Sequence, residues 1–394
     1  MSKALPQSTA LRADAVLNLP VKARKVSVDV FRGLTVAFMI LVNTAGDGSV
    51  SYPQLRHSAW NGCTLTDLVF PTFLFLMGVS MAFTTSSSWT SGGTRLRLWK
   101  ASRRSAILIL IGLILNALPF FHLGTLRYCG VMQRIGVTYW LAFVTILVVD
   151  SFGLIVLCGS LLTAYWGLMT LVPIPGYGRT GLSLGVLNPM GNLATALDRL
   201  VFAQQHLYHH GFYDPEGLLS TLPAVASVLL GIFAGRLLRQ QGTYAPLIRL
   251  ATIGTGLTLF GLAWSVVFPL NKRMWTSSYV LLAAGIDFLL LALLSWRLDK
   301  PVQQDDRRQR WLLSPWLAFG SNALAAYVLS EALSIAIDTV PVGAEMSLQR
   351  WSFLLIPTWA GSPALRSLEW SLVFTLACLI PIFALYRKKI LIKL

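Results

Sequence analysis

Long apolar runs separated by short polar connections constrain this chain more than any other feature. A helix needs about 20 apolar residues to cross a ~30 Å hydrocarbon core. Backbone polar groups in lipid must be hydrogen-bonded within the segment, so such runs are helices rather than strands. Ten runs of about this length lie at 31–46, 65–85, 104–121, 131–149, 153–172, 218–238, 247–268, 275–296, 315–339 and 366–387. They predict an all-α polytopic membrane protein with ten transmembrane helices, or eleven if a shorter apolar piece at 349–360 enters the bilayer.

The composition agrees with a chain that lies almost wholly in the membrane. Of 394 residues, 55% are hydrophobic and 12% are charged, whereas soluble domains carry roughly 25% charged residues. We therefore predict no separate soluble domain. The predicted organisation is an N-terminal segment, 1–30, followed by one transmembrane domain, 31–390, in which 173–217 is the one long outward loop.

The distribution of basic residues predicts the orientation. One set of connections, with both termini and the adjoining helix ends, holds 23 of the 32 lysines and arginines. The positive-inside rule places that side, and so both termini, in the cytoplasm. Topology then explains the net charge of +16, and the expected partner is the lipid bilayer. A nucleic-acid partner would call for a basic soluble domain, and none is predicted.

Polar residues are concentrated between the first two apolar runs. His57, Trp60 and Asn61 lie in the outward connection, Asn43 ends the first run and Asp67 begins the second. A lone loop histidine is usually solvated, but this group combines a base titrating near neutral pH, amide donors and a carboxylate. Asp67 has a second interpretation, because a carboxylate in the first turn of a helix favours the positive helix N-terminus.

Basic residues gather on the cytoplasmic side, near the start of the third run. They include Arg103 and Arg104, with Arg32 before them in the first run. Most need no role beyond topology or contact with anionic lipid, but guanidinium groups also grip phosphates in a bidentate way. Arg134 interrupts an apolar run, and an arginine there usually faces a cavity. We predict a ligand role for it.

Two outward loops hold further polar residues. In the first, His206, Asp214 and Glu216 end the long loop. The alternative is a helix start, with Asp214 as N-cap and Glu216 in the first turn. In the second, Lys272 stands beside Trp275, against the positive-inside trend. The histidine spacing matches no standard metal site, so no metal is predicted.

Cysteines and small residues leave two questions open. Cys63 and Cys129 both fall near the outward side, where a disulfide is allowed but not required. Gly231 and Gly235 form a Gly-x-x-x-Gly pattern. Such spacing marks a close helix contact, either between two protomers or within one.

Short motifs spread over the membrane region carry a resemblance. They are 27–33, 42–43, 57–62, 67–71, 130–139, 206–208, 214–219, 271–275 and 320–324. Each alone is weak, but by their shared order the chain resembles the heparan-α-glucosaminide N-acetyltransferase family of transmembrane acyltransferases. This family includes bacterial relatives described as N-acetylglucosamine-related transporters.

The resemblance implies a reaction divided across the bilayer. Acetyl-CoA would be the cytosolic cosubstrate, and its acetyl group would pass to the amine of a glucosamine-type sugar on the periplasmic side. It also implies a multi-pass protein of the bacterial inner membrane, 31–390 as an acyltransferase domain and a homodimer. The family's catalytic histidine falls on His57, as general base or acetyl carrier. Its active-site asparagine falls on Asn43, where the amide would stabilise an oxyanion, and Asp67 would orient the imidazole.

The remaining predicted site residues contact either the acetyl donor or the acceptor sugar. The donor is predicted to contact Arg32, Arg103, Arg104, Gln133, Arg134 and Asn322. The acceptor is predicted to contact Trp60, Asn61, His206, Asp214, Glu216, Lys272 and Trp275. Two alternatives stay open: a transporter of N-acetylglucosamine-like sugars without chemistry, and a relative that binds CoA without turnover.

Overall fold

The computed structural model describes residues 25–84, 93–177, 187–242, 244–299, 307–343, 346–357 and 361–392. Thirteen α-helices occupy most of this part of the chain. They are α1 Val26–Asn43, α2 Leu65–Thr84, α3 Thr94–Ala117, α4 Val131–Val148, α5 Ser151–Leu171, α6 Leu193–Val201, α7 Thr221–Leu238, α8 Ala245–Trp264, α9 Ser277–Leu298, α10 Arg307–Ser321, α11 Ala323–Thr339, α12 Leu348–Leu354 and α13 Pro363–Arg387. One short hairpin pairs β1 (Pro341–Val342) with β2 (Met346–Ser347).

The fold class predicted from the sequence is confirmed. Among the described residues, eight helices are long and apolar enough to cross a membrane, or nine if the bent pair α10 and α11 forms one span. All ten predicted runs fall on helices. The run 104–121 falls on α3, which begins earlier, at Thr94, and carries five cations in its first half. Of the piece 349–360, the structure describes residues as far as 357, and the helix there, α12, ends at Leu354.

α10 and α11 meet at a sharp bend of 78°. Asn322 occupies the break, and its side chain donates to the carbonyl oxygen of Ile390 at 3.1 Å and accepts from the amide of Ile392 at 2.9 Å. The end of the chain therefore satisfies polar groups at the interruption. This arrangement explains how a broken helix is tolerated at membrane depth, where irregular backbone must be buried in protein or line a cavity.

Four inner helices form the core. α1, α2, α7 and α9 bury between 61% and 78% of their spanning windows, whereas α5, α8 and α13 bury 17% to 28%. The outer three therefore present most of their apolar side chains outward, which suits contact with lipid chains.

Gly231 and Gly235 permit the closest contact in this core. A Cβ atom at Gly231 would lie 2.0 Å from the carbonyl oxygen of Phe75, and one at Gly235 would lie 2.8 Å from that of Val79. The two glycines thus let α7 approach the backbone of α2. Of the two interpretations of the Gly-x-x-x-Gly pattern, packing within one protomer is confirmed.

Both ends of the described chain lie at the same end of the bundle. Ser27 donates from its amide and its hydroxyl to Asp299, which follows α9. Arg32 donates to the carbonyl oxygen of Gly320 at 3.0 Å, close to the segment that Asn322 binds. The placement of this end in the cytoplasm stays a prediction, and most of the predicted N-terminal segment, 1–30, lies outside the described residues.

The α2–α7 contact generates a stability prediction. Gly231→Ala places a methyl group against backbone, so the helices must separate, at a cost of about 1–3 kcal/mol. We expect a lower apparent Tm in detergent. Gly256→Ala on α8 is the matched control, because nothing lies within 4 Å of that position. Equal thermal stability of the two variants would contradict the packing.

Candidate active site

His57 and Asp67 form the central hydrogen bond of the site. The Nδ1 atom of His57 lies 2.7 Å from Oδ1 of Asp67. The Asp67 side chain is 1% exposed, whereas that of His57 is 41% exposed. A carboxylate on Nδ1 favours the tautomer with its proton on that nitrogen, which leaves Nε2 free to accept one. Asp67 thus orients the imidazole through Nδ1, and the Nε2 edge of the ring faces away from Asp67.

Asp67 also organises the start of α2. Its Oδ2 atom accepts from the amides of Ser58 and Thr64 and from the hydroxyl of Thr64, at 3.0 to 3.1 Å. Thr64 directly precedes the helix, so the carboxylate satisfies an otherwise orphaned donor there. The two interpretations of Asp67 are therefore compatible, since one oxygen faces the histidine and the other caps the helix.

A second loop places Lys272 against the open face of His57. The Nζ atom of Lys272 lies 3.4 Å from Nε2 of His57. The amide of Gly62 donates to Leu270 at 2.8 Å, and the Asn271 side chain donates to Asn61 at 3.1 Å. These bonds join the two loops. Because Asn61 binds Asn271, the residue before Lys272, it helps to hold Lys272 beside the imidazole.

Arg127 joins two acidic residues of the long loop. Its guanidinium contacts Asp214 at 2.8 and 2.6 Å and Glu216 at 2.6 Å. The helix start predicted here is wrong, because α7 begins at Thr221 with Ser220 as its N-cap residue. Asp214 is 4% exposed and already paired, so contact with an acceptor is not open to it in this structure.

The charges of Lys272, Glu216 and Arg127 influence the pKa values of one another. Burial lowers the pKa of Lys272, and the charge of Glu216 opposes that shift. For Glu216, burial raises the pKa, but the charges of Arg127, Arg134 and Lys272 together outweigh it, and the pKa falls below its usual range. Glu216 therefore stays ionised and favours the ammonium form of Lys272. We name His57, Asp67, Lys272, Glu216 and Arg127 the histidine site.

Arg134 braces the loop that carries Glu216. One guanidinium nitrogen donates to the carbonyl oxygen of Gly217 and to the hydroxyl of Ser220. The guanidinium lies 5.0 Å from the ring centroid of Trp275. Trp275 is fully buried, so the prediction that its ring contacts the acceptor is wrong for this structure. Its role is to pack beneath Arg134.

Asn43 ends α1 at the exposed edge of the site. Its side-chain amide donates to Oε1 of Glu331, on α11, at 3.4 Å. The second N–H of the amide has no assigned partner, so the geometry leaves a donor for a ligand.

Aromatic residues line the mouth of the outward loops. Trp60 donates to the carbonyl oxygen of Leu187 at 2.8 Å and meets Tyr213 edge-on, with ring centroids 5.4 Å apart. His206 stacks on Tyr128 at 4.4 Å and binds the carbonyl oxygen of Leu126 through Nδ1. Trp60 is only partly buried and keeps surface for a sugar ring, whereas His206 is tied to the protein.

The structure also describes the cysteines and the potential metal ligands of the outward loops. All four cysteines are free thiols, so Cys63 and Cys129 are not paired. Burial raises the pKa of each of these two thiols to about 12. Within the described ranges, no group of three or more histidine, cysteine and acidic residues is placed to hold a metal ion.

A large cavity opens at the other end of the bundle. Its volume is about 880 Å³, within the usual range for ligand pockets. We name it the cationic cavity, after its basic lining residues Arg32, Arg97, Lys100, Arg103 and Arg104. Of the predicted donor contacts, Arg32, Arg103, Arg104 and Asn322 line it.

Gln133 and Arg134 do not line this cavity, contrary to the sequence prediction. Arg134 is turned toward the loop before α7, as described above. Gln133 packs where Gly112 and Gly130 leave room for its side-chain oxygen. Its Nε2 atom is buried and has no hydrogen-bond partner among the described residues.

The cavity suits a polyanion. Arg104 lies 4.7 Å above the Tyr139 ring, and its buried Nε atom has no hydrogen-bond partner in the described part of the chain. A buried donor of this kind is costly unless a ligand or water satisfies it. Guanidinium groups bind phosphates in a bidentate way, so this lining fits a phosphate-bearing ligand.

Shared helices join the cavity to the histidine site. α2 carries Asp67 in its first turn and reaches the cavity from Phe73 to Thr84. At 1.5 Å per residue, Asp67 lies ~9 Å before Phe73 and ~26 Å before Thr84. α1 likewise runs from Arg32 in the cavity to Asn43 at the site, a span of ~16 Å. The two clusters are therefore opposite ends of one helical frame.

Comparison with known protein families shows which family the chain belongs to. Residues 24–268 match the family described as heparan-alpha-glucosaminide N-acetyltransferase, catalytic. The chain belongs to this acetyltransferase family. The matched region contains four of the five residues of the histidine site, all but Lys272, and most of the residues that line the cationic cavity.

Two mammalian members of the family align over much of the chain. The heparan-alpha-glucosaminide N-acetyltransferase of Mus musculus is 33% identical over 358 residues, which cover 78% of this chain and 53% of the relative. That of Homo sapiens is 33% identical over 365 residues, with 79% and 53% covered. The chain thus spans about half the length of these curated relatives.

The structure adds residues around the histidine site that the sequence did not single out. Arg127 neutralises Asp214 and Glu216, and Tyr279 donates its hydroxyl to the backbone oxygen of Asp67. Glu331 contacts Asn43. A signal for Arg127 existed, since it is a cation against the positive-inside trend, as Lys272 is.

A buried carboxylate beneath the loop generates a pH prediction. Asp198, on α6, accepts from the amide of Leu218 at 2.8 Å and packs against Gly217. Burial raises the pKa of Asp198 to about 7, the Leu218 bond opposes the shift and the charge of Asp214 adds to it. The native state then binds more protons than the unfolded state between about pH 4 and pH 7, so stability falls as pH rises through this window.

Asp198→Asn removes this titration and keeps the shape. We expect the apparent Tm of the wild type in detergent to fall as the pH rises from about 4 to about 7, with a loss of up to about 4 kcal/mol in the free energy of unfolding. The variant should lose most of that slope. Asp338→Asn, at an exposed position of α11, is the control. Parallel pH profiles for wild type and Asp198→Asn would contradict the account.

Proposed function

We propose that the chain is a transmembrane N-acetyltransferase of the bacterial inner membrane. It moves an acetyl group from cytosolic acetyl-CoA to the amine of a glucosamine-type sugar on the periplasmic side. The observation that carries this proposal is the hydrogen-bonded pair of His57 and Asp67, with Nε2 open, at the far end of helices that also line the cationic cavity.

The cationic cavity is the proposed donor site. Arg32, Arg103 and Arg104 would hold the phosphates, and apolar residues of α2 and α4 further in would contact the rest of the molecule. Acetyl-CoA would supply the acetyl group as an activated thioester. The positive-inside rule supports a cytoplasmic position for this cavity, since it is the cation-rich end.

His57 is the proposed general base. Asp67 holds Nδ1, so Nε2 accepts the proton that the acceptor amine gives up as its nitrogen attacks the thioester carbonyl carbon. The carbon–sulfur bond then breaks, and the CoA thiolate takes this proton from the imidazolium and leaves as the thiol. The buried Asp67 carboxylate also stabilises the imidazolium that results. If Nε2 instead carries the acetyl group as a nucleophile, the same hydrogen bond activates it.

Two donors are proposed for the oxyanion. Lys272 lies 3.4 Å from Nε2, and Asn43, which falls on the family's active-site asparagine, uses one side-chain N–H on Glu331 and has a second N–H for a ligand. Either can stabilise the negative charge that develops on the carbonyl oxygen, a contribution of a few kcal/mol when the donor is preorganised. The pairing of Arg127 with Asp214 and Glu216 keeps the surrounding acidic charge neutralised. Trp60 is the proposed platform for the sugar ring.

The test is acetyl transfer in purified protein. Incubation with radiolabelled acetyl-CoA and glucosamine should give N-acetylated product, and His57→Ala should reduce kcat at least 100-fold, the roughly 10²–10⁴-fold contribution of a general base. His209→Ala, at an exposed loop histidine, is the matched control and should retain activity.

Two results would contradict this function. One is a wild type as inert as His57→Ala but able to move sugar across liposomes, which would favour a transporter. The other is binding of acetyl-CoA by wild type with no product under any condition, which would favour a relative that binds CoA without turnover.

A further inference from the structure

Glu331 is a carboxylate beside Asn43 that the proposed mechanism does not use. It lies on α11, partly buried, ~12 Å along the helix from Ala323 in the lining of the cationic cavity. Its hydrogen bond from Asn43 is 3.4 Å long, beyond the usual 2.7–3.2 Å for such donors. Most of the accepting capacity of this carboxylate therefore remains open.

Glu331 also lacks a cation. Asp67 faces His57, and Arg127 neutralises both Asp214 and Glu216. No lysine, arginine or histidine within the described ranges lies within ion-pair distance of Glu331. A partly buried carboxylate without a counter-ion is costly. Glu331 is thus a partly buried carboxyl group that no cation of the described residues pairs with, and a cationic ligand would supply that partner.

The face of α11 that carries Glu331 is turned toward the histidine site. Tyr327, one helical turn earlier, is 7% exposed. It lies within electrostatic range of Glu331, Glu216 and Arg127 together. Glu331 is therefore near both Asn43 and the acidic loop, rather than on a separate surface.

We propose that Glu331 receives the cationic amine of the acceptor, and so makes the site select sugars with a free amino group. The inference rests on the proposed function for the identity of the acceptor. A primary amine with a pKa near that of an α-amino group, about 8, is largely protonated at neutral pH. Its ammonium forms charge-assisted hydrogen bonds with a carboxylate. The bound ammonium first releases one proton to water, and the neutral amine then attacks the thioester while His57 takes the second proton. After acetylation the nitrogen is a neutral amide, so the product loses the charged contact with Glu331 and leaves more readily.

The experiment compares Glu331→Gln with wild type in nanodiscs. Direct binding of glucosamine and of glucose is measured, together with kcat and KM for acetyl transfer and with acetyl-CoA affinity. We expect wild type to prefer glucosamine. In Glu331→Gln the glucosamine Kd and KM should rise roughly 10- to 100-fold, the value of a charged hydrogen bond. Glucose binding, acetyl-CoA affinity and, to first order, kcat should stay unchanged.

Two further variants control this comparison. Asp338→Asn removes an exposed carboxylate from the same helix and should behave as wild type. Glu331→Asp keeps the charge and should retain a preference for glucosamine over glucose, which also covers the case in which Glu331→Gln fails to fold.

The outcomes separate this inference from the proposed function. Unchanged glucosamine affinity in Glu331→Gln overturns the inference while acetyl transfer by wild type stands. A lower kcat with unchanged affinity also overturns it, because Glu331 would then only position Asn43. A wild type without acetyl transfer, but with a glucosamine preference that Glu331→Gln abolishes, supports the amine site and overturns the proposed function.

Discussion

A bilayer requires each spanning segment to satisfy its own backbone hydrogen bonds, and the whole arrangement depends on that constraint. Because spans are helices, polar chemistry collects at helix ends and in the loops between them. Asn43 ends α1 and Asp67 begins α2, whereas Arg32 and Thr84 lie toward the opposite ends of the same two helices. One rigid pair of helices therefore carries both the histidine site and part of the cationic cavity.

Neutralisation of charge then determines which groups are left for a ligand. The carboxylates of Asp67, Asp214 and Glu216 each have a basic partner in the protein. The groups left for a ligand are Nε2 of His57, which Lys272 approaches at 3.4 Å, the second N–H of Asn43, and the carboxylate of Glu331, which accepts one long bond from Asn43. A base, an oxyanion donor and an amine-binding group are the three functions that transfer of an acyl group to an amine requires.

The sequence predicted the features that depend on neighbouring residues, such as the spans. It did not predict those that depend on contacts between residues far apart in the chain. Hydropathy located all ten helical runs because a span is defined by its own residues, but the bend at Asn322 depends on the end of the chain. His57 and Asp67 were found because both lie in one short segment. Arg127 and Glu331 were missed because their partners lie 87 and 288 residues away. The burial of Trp275 could not be predicted from the sequence either, because the ring packs against distant residues such as Arg134.

The central claim is that donor and acceptor reach the site from opposite faces of the membrane. Its most direct test is a sided assay in proteoliposomes with uniformly oriented protein, in which acetyl-CoA and glucosamine are each supplied on one face only. The account predicts N-acetylated product only when acetyl-CoA is on the face of the cationic cavity and glucosamine is on the face of His57. Product formed with acetyl-CoA supplied solely on the His57 face would contradict it.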